Sequence, residues 1–143
     1  MRIQRYLLVA AAVLCLSFSL KAAVQGEDEV KQAVTSFEKA IDTKNVSNLQ
    51  QLLAANASIS TLNKINNNFT QFAAADYINS VKSGKIGGWE RNMTISSVDV
   101  NDNLAIAKVE LTDARLKQVE YVTLMKVGGS WKVVNSALTI EKK

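Results

Sequence analysis

The sequence has no histidine and only one cysteine, Cys15, which lies in an apolar segment near its start. Histidine and cysteine supply most zinc and transition-metal ligands, and histidine is the usual general base near neutral pH. A nucleophile activated by histidine is therefore excluded. We expect no metal site, no cofactor and no catalytic residues of the common kinds.

A strong excess of charge of one sign is also missing. The chain has 17 basic and 13 acidic residues, which gives a formal net charge of +4. Three of the basic residues, Arg2, Arg5 and Lys21, flank the apolar N-terminal segment, and without them 14 basic residues face 13 acidic ones. The remaining lysines and arginines are scattered and form no dense patch, which argues against a nucleic-acid partner.

Residues 1–23 have the pattern of a secretory signal peptide. Two arginines precede an apolar stretch, Leu7–Leu20, and small residues follow it up to Ala23. Because the stretch is shorter than the ~20 residues that span a bilayer, we predict cleavage near Ala23, transient membrane contact and a secreted or periplasmic protein. An uncleaved anchor is the alternative. Residues 24–143 then form one domain, which relies on its core rather than on disulfides.

Three helices are predicted in the first part of this domain. They cover Glu27–Lys44, Asn45–Ala55 and Ala73–Ser83. The first has apolar residues at helical spacing on one face, namely Val30, Val34, Phe37 and Ile41. Ser47 is the predicted N-cap of the second helix.

A four-stranded meander is predicted in the second part. Its strands are expected at Trp89–Val100, Leu104–Thr112, Gln118–Val127 and Trp131–Glu141, and two short strands are expected between the second and third helices, at Ser58–Leu62 and Phe69–Phe72. Short links join the last four strands, which indicates antiparallel neighbours, and one link is Gly128-Gly129, a pair suited to the positive φ of a tight hairpin. Helices followed by such a meander indicate an α+β fold with the helices on one face of a mostly antiparallel sheet.

The strand before Gly128 carries apolar residues on both of its faces. Tyr121 and Met125 share one face, whereas Val122 and Leu124 share the other. A strand that is apolar on both faces is covered on both. We expect the helices on one face and a cavity or a second subunit on the other.

Several segments together resemble the NTF2-like superfamily, and most closely its putative lumazine-binding group, related to SnoaL-like proteins. The matching segments are Phe37–Asn45, Phe72–Val81, Trp89, Ser97–Val109 and Val119–Asn135. The resemblance implies a cone-shaped α+β fold in which a curved sheet wraps three helices around a pocket. Members of this superfamily include isomerases, dehydratases and many non-catalytic domains, and many form dimers through the outer face of the sheet.

The resemblance also argues against the chemistry of ketosteroid isomerase. The positions that carry that enzyme's oxyanion-stabilising tyrosine and general-base aspartate correspond to Phe37 and Thr61 in this sequence. Neither side chain can perform the role, since proton transfer beside a carbonyl needs a base and a donor for the oxyanion. Asp76 beside Tyr77 is interpreted as a surface carboxylate next to a core aromatic residue.

The preferred interpretation is a non-catalytic domain that binds a small, mostly apolar ligand or a protein partner. Phe37, Thr61, Trp89 and Tyr121 are the predicted pocket-lining residues, and core packing is the alternative role of Trp89 and Tyr121. A homodimer through the sheet is expected. An isomerase, dehydratase or cyclase with atypical acids, and a structural envelope protein, remain open as alternatives.

Overall fold

A computed structural model describes residues 25–143. The predicted signal peptide, residues 1–23, therefore lies outside the described residues. Among the helices of the described part, none is both long and apolar enough to cross a membrane.

Three helices and six strands make up the described part of the chain. The helices are α1 (25–42), α2 (Val46–Leu52) and α3 (Ala74–Lys82). The strands are β1 (Leu53–Asn63), β2 (Asn68–Ala73), β3 (Asn92–Asn101), β4 (Leu104–Thr112), β5 (Leu116–Val127) and β6 (Ser130–Lys142). The predicted α+β fold is confirmed.

The helix boundaries follow local backbone preferences. The N-cap of α2 is Asn45, whose side chain accepts a hydrogen bond from the amide of Asn48 at 3.0 Å, so the prediction of Ser47 was wrong. Asparagine and serine cap equally well, and the turn after α1, with Lys44 at φ 54°, places Asn45 at the start of the helix. The helix ends earlier than predicted because Leu53 already has extended backbone angles and begins β1.

The six strands form one mixed sheet. Its order is β2-β1-β6-β5-β4-β3, and all neighbours are antiparallel except β1 and β6, which are parallel. The hairpin between β5 and β6 turns at Gly128 and Gly129, whose φ angles are 59° and 80°, as predicted. One bulge lies between Ile95 and Ser97 in β3, and another lies between Val133 and Asn135 in β6, opposite Thr123 and Leu124 of β5. Such bulges bend the strands that contain them.

One face of the sheet packs against the helices. The apolar face of α1 is fully covered, and its four predicted core residues are at most 3% exposed. On β4 and β5 the alternate residues that include Ala107, Val109, Val122 and Leu124 are buried with it in one core cluster. The opposite face carries large apolar side chains with 45–49% exposure, namely Leu104, Ile106, Tyr121 and Met125.

Candidate functional site

A cavity of about 290 Å³ lies between the helices and the covered face of the sheet. Its lining comes from α1, β1, β2, α3, the segment before β3, the turn before β5, β5 and β6. The residues are Glu38, Ile41, Ile59, Thr61, Thr70, Phe72, Tyr77, Ile86, Trp89, Arg91, Asp113, Leu116, Gln118, Glu120, Ser136, Leu138 and Ile140. The buried members of this set form its inner end, and partly exposed members such as Trp89 lie toward solvent. Its walls are mostly apolar.

Arg91 organises the polar inner end of the cavity. Its Nε donates to Asp42 Oδ1 at 2.8 Å, Nη1 donates to Gln118 Oε1 at 2.7 Å, and Nη2 donates to Glu38 Oε2 at 2.9 Å. The side chains of Arg91 and Glu38 are each 3% exposed. The guanidinium therefore joins two acceptors on α1 to one on β5, and each of its three nitrogens donates a hydrogen bond to the protein itself.

Glu38 and Glu120 form a buried carboxyl pair beside this arginine. Glu38 is 2% exposed and Glu120 is 4% exposed, and the two carboxyls are within hydrogen-bonding reach when one of them holds a proton. Ser136 Oγ donates a short hydrogen bond to Glu120 Oε1, whereas Glu38 Oε1 receives none from the described residues. Burial and the adjacent Glu120 raise the pKa of Glu38 well above its ordinary value, and Arg91 offsets this only in part.

Tyr77 adds a phenol to the cavity lining. It lies on α3 with 7% exposure, and its ring meets that of Phe72 edge to face at a centroid distance of 5.9 Å. Burial, and then the nearby carboxyls of Glu120 and Glu38, raise the pKa of Tyr77 well above its ordinary value. The hydroxyl therefore stays protonated and neutral.

The structure brings two of the four predicted lining residues to the cavity. Thr61 on β1 lines it, and so does Trp89, which is 40% exposed and lies under the Arg91 guanidinium at 4.8 Å from the ring centroid. Phe37 has no exposed surface and belongs to the core. Tyr121 is 49% exposed on the outer face of the sheet, so placing it in the cavity was wrong.

The error at Tyr121 has a simple geometric cause. Adjacent residues of a strand point to opposite faces, so either Glu120 or Tyr121 can face the helices, but not both. The prediction placed Tyr121 at the pocket. Instead, β5 turns Gln118 and Glu120 inward together with Val122. The interpretation of Asp76 as exposed beside a buried Tyr77 agrees with the structure.

The expectation of a cavity without acid–base groups is also wrong. It rested on the absence of histidine and on the residues at positions 37 and 61. Glu38 is the neighbour of one of those positions, and Glu120 lies on a strand beyond the part of the chain that the comparison covered. The carboxyl pair can exchange a proton with a bound molecule, which is an elementary requirement of general acid–base chemistry.

Two of the missed residues carry a sequence signal. Glu38 follows Val34 by four positions, so it lies within the apolar stripe of α1 rather than on its polar side. Glu120 has the same strand parity as Val122 and Leu124. A carboxylate on a buried face is rarely left without a role or a partner. Arg91 has no comparable signal, since it lies in a segment without periodicity.

The described residues also limit metal binding at this site. Within residues 25–143, no three acidic side chains have an arrangement that would hold a metal ion. The carboxylates nearest one another are already bonded to Arg91 and Ser136.

A family comparison agrees with this architecture. The sequence profile of the family described as "Putative lumazine-binding" matches residues 25–138. The chain belongs to this family. No curated protein sequence matches the chain significantly.

Solved structures similar to this family member carry the same fold. An NTF2-like protein of unknown function from Shewanella baltica OS155 has a TM-score of 0.71 and 16% identity, over 84% of this chain and 97% of that one. One from Silicibacter pomeroyi DSS-3 has a TM-score of 0.69 and 18% identity, over 80% and 94%. A protein with a cystatin-like fold from Burkholderia xenovorans LB400 has a TM-score of 0.66 and 12% identity, over 81% and 92%. The family member therefore has an NTF2-like α+β fold.

Proposed function

We propose that this protein binds a small, flat, mostly apolar molecule in the cavity, with the polar edge of that molecule against Glu38 and Glu120. The observation that carries the proposal is the buried carboxyl pair at the inner end of a cavity of about 290 Å³ with apolar walls. Binding pockets typically combine such walls with a few convergent polar groups. A structural envelope role has less support, since the protein's own side chains leave this space open.

The family description suggests a first probe. Lumazine is a flat bicyclic heterocycle with N–H groups on one edge, and this shape suits walls formed by Ile59, Phe72 and Trp89. Titration calorimetry with lumazine measures its affinity directly, and native mass spectrometry of protein from its own host detects a co-purified molecule. We expect saturable one-to-one binding of at least one such compound.

A matched pair of variants tests whether the cavity is the site. Thr61→Phe places a ring in the cavity, whereas Thr123→Phe places the same ring on the outer face of β5. Loss of binding in Thr61→Phe alone supports the proposal. Equal binding in both variants, or no ligand in either experiment, contradicts it.

A proton-transfer enzyme of the isomerase, dehydratase or cyclase type is the second candidate. Its support is that Glu38 and Glu120 supply a base and an acid, and Tyr77 supplies a neutral donor, in one enclosed space. The co-purified molecule is incubated in heavy water with the wild-type protein and with Glu38→Gln. Deuterium in the recovered molecule that depends on Glu38 favours the enzyme, and recovery of the unchanged molecule favours a binding protein.

Dimerisation and export complete the proposal. The exposed Ile106, Tyr121 and Met125 form an apolar surface that suits a second copy of the chain.

Residues 1–23 support a secreted or periplasmic location, with residues 24–143 as the mature domain. Cell fractionation and N-terminal sequencing of the mature protein test the location and the cleavage point.

A further inference from the structure

We propose that the inner end of the cavity binds a nitrogen that donates hydrogen bonds, and that it prefers a cationic amidinium or ammonium group over a neutral amide or a carboxylate. The inference rests on the proposed function and names the chemistry of the ligand's buried end. It is carried by the juxtaposition of Glu38 and Glu120 with an arginine whose three nitrogens each already bind a protein acceptor.

The charges that line the cavity favour a cation. Among the described lining residues, Glu38, Asp113 and Glu120 are acidic and Arg91 alone is basic. The guanidinium of Arg91 is bonded to Glu38, Asp42 and Gln118. An anionic ligand would meet an arginine whose three nitrogens already bind protein acceptors, so its own desolvation would be poorly compensated. A carboxylate is therefore the least suitable buried end.

A free acceptor identifies where the nitrogen would bind. When the Glu38 carboxyl is ionised, its buried Oε1 receives no hydrogen bond from the described residues, although Oε2 of the same carboxyl accepts from Arg91. A buried acceptor without a donor costs free energy. A ligand N–H that binds this acceptor therefore contributes more binding free energy than the same N–H would by binding a solvent-exposed acceptor. This observation is independent of the lining charge.

The shape of the cavity selects a flat cationic group. Apolar side chains from three parts of the chain, namely Ile59, Phe72 and Trp89, line the same cavity as the carboxyl pair. An aryl amidinium combines a planar apolar ring with a forked pair of N–H donors, which matches a carboxylate in two parallel hydrogen bonds. Glu38 Oε1 and the adjacent Glu120 provide acceptors for such a fork.

Protonation of the carboxyl pair makes this preference depend on pH. The groups that face the pair are Asp42 from α1, Tyr77 from α3, Arg91 before β3, Gln118 from β5 and Ser136 from β6, and Asp113 before β5 also lines the cavity. A cation favours the ionised form of Glu38, so its binding displaces the proton that the raised pKa of Glu38 retains. Affinity for an amidinium should therefore rise between pH 5 and pH 8, whereas affinity for a neutral amide should change little.

Three probes of the same size separate the possibilities. Benzamidine, benzamide and benzoate share one ring and differ in the charge of the group attached to it. The full chain is titrated with each, and two-dimensional NMR follows the indole N–H of Trp89 and the side-chain amide of Gln118. We expect benzamidine to bind at least about tenfold more tightly than benzamide, which corresponds to one charge-assisted hydrogen bond, and benzoate to bind least.

Matched variants show whether the carboxyl pair is responsible. Glu38→Gln and Glu120→Gln each remove one ionisable group from the cavity, and Glu110→Gln removes one from the outer face of β4. The preference for benzamidine should disappear in both cavity variants and persist in Glu110→Gln. Thermal unfolding of each variant identifies any that fails to fold, and either cavity variant suffices for the test.

The outcomes distinguish this inference from the proposed function. Tighter binding of benzamide or benzoate overturns the preference for a cation but leaves binding in the cavity intact. Benzamidine binding that is unchanged in both cavity variants overturns the assignment to the pair. Absence of binding by all three probes also overturns the inference, and the proposed function fails only if the lumazine titration and the search for a co-purified molecule are negative as well.

Discussion

The carboxyl groups of Glu38, on α1, and Glu120, on β5, lie side by side at the inner end of the cavity, and Arg91 binds the first while Ser136 binds the second. Helix and sheet each contribute one acid to this pair. The pair therefore forms only when α1 is packed on the sheet. It links the stability of the fold to the chemistry of the cavity, and the first two predictions test this link.

The Glu38 carboxyl should make stability depend on pH. Because its pKa in the folded protein lies well above the ordinary value of 4.5, the folded state holds more protons than the unfolded chain above pH ~4.5. The free energy of unfolding contributed by this group therefore falls as pH rises. Glu38→Gln does not lose this stability as pH rises. The Tm of the variant minus the Tm of the wild type should therefore increase by roughly 3 °C or more between pH 5 and pH 9.

Glu27→Gln is the control for that experiment. Glu27 lies on the exposed side of the same helix and pairs with Lys31 at 3.6 Å. The difference in Tm between Glu27→Gln and the wild type should stay constant over the same pH range. A flat difference for Glu38→Gln too would mean that the buried carboxyl is ionised throughout.

Removing the arginine should be among the most costly changes to the cavity. Arg91→Leu leaves Glu38 and Asp42 without their cation, and breaking a buried ion pair from one side costs about 3–5 kcal/mol. The cost should be smaller at pH 5, where Glu38 holds a proton, than at pH 8. Urea unfolding at the two pH values measures it. Lys64→Met, which breaks a pair with both side chains 41–49% exposed, should cost less than about 1 kcal/mol.

Gly87 should tolerate no side chain. Its φ is 87°, and a Cβ placed there would lie 2.2 Å from the carbonyl oxygen of Ile41. Gly128, at φ 59°, has nothing within 4 Å of the same added atom. Alanine at Gly128 should cost about 1–2 kcal/mol through backbone strain alone. Alanine at Gly87 should cost clearly more, as measured by thermal unfolding, and equal costs would contradict the close approach to α1.

A charge on the outer face of the sheet should break the proposed dimer. Tyr121 and Ile106 are 49% and 45% exposed on this face, and burying a new carboxylate between two copies would be unfavourable. Light scattering coupled to size exclusion should find a wild-type dimer and a Tyr121→Glu monomer. Asn79→Glu, on the exposed side of α3, should remain dimeric. A monomeric wild-type protein at all concentrations contradicts the dimer.

Much of the fold could be predicted from the chain because its signals are local. Val30, Val34, Phe37 and Ile41 repeat at helical spacing, and Gly128-Gly129 can take the positive φ of a hairpin turn. The parallel contact of β1 with β6 was not predicted. That contact joins strands far apart in sequence, and no local pattern specifies which strand lies beside which.

The site was predicted in part. Thr61 and Trp89 reach the cavity, but Phe37 does not, and Tyr121 lies on the opposite face of the sheet. When both parities of a strand contain apolar residues, hydrophobicity cannot decide which parity faces the helices. The register of the sheet and the packing of α1 decide it, and they turn Glu120 inward.

Local patterns in the chain were enough to predict the three helices and the strands of the meander, because propensity and periodicity are properties of neighbouring residues. The meeting of Glu38, Arg91 and Glu120 in one enclosed space depends instead on how α1 packs on the sheet. Their meeting changes the pKa of Glu38 through burial and mutual charge, and neither burial nor distance is encoded in any one segment of the chain.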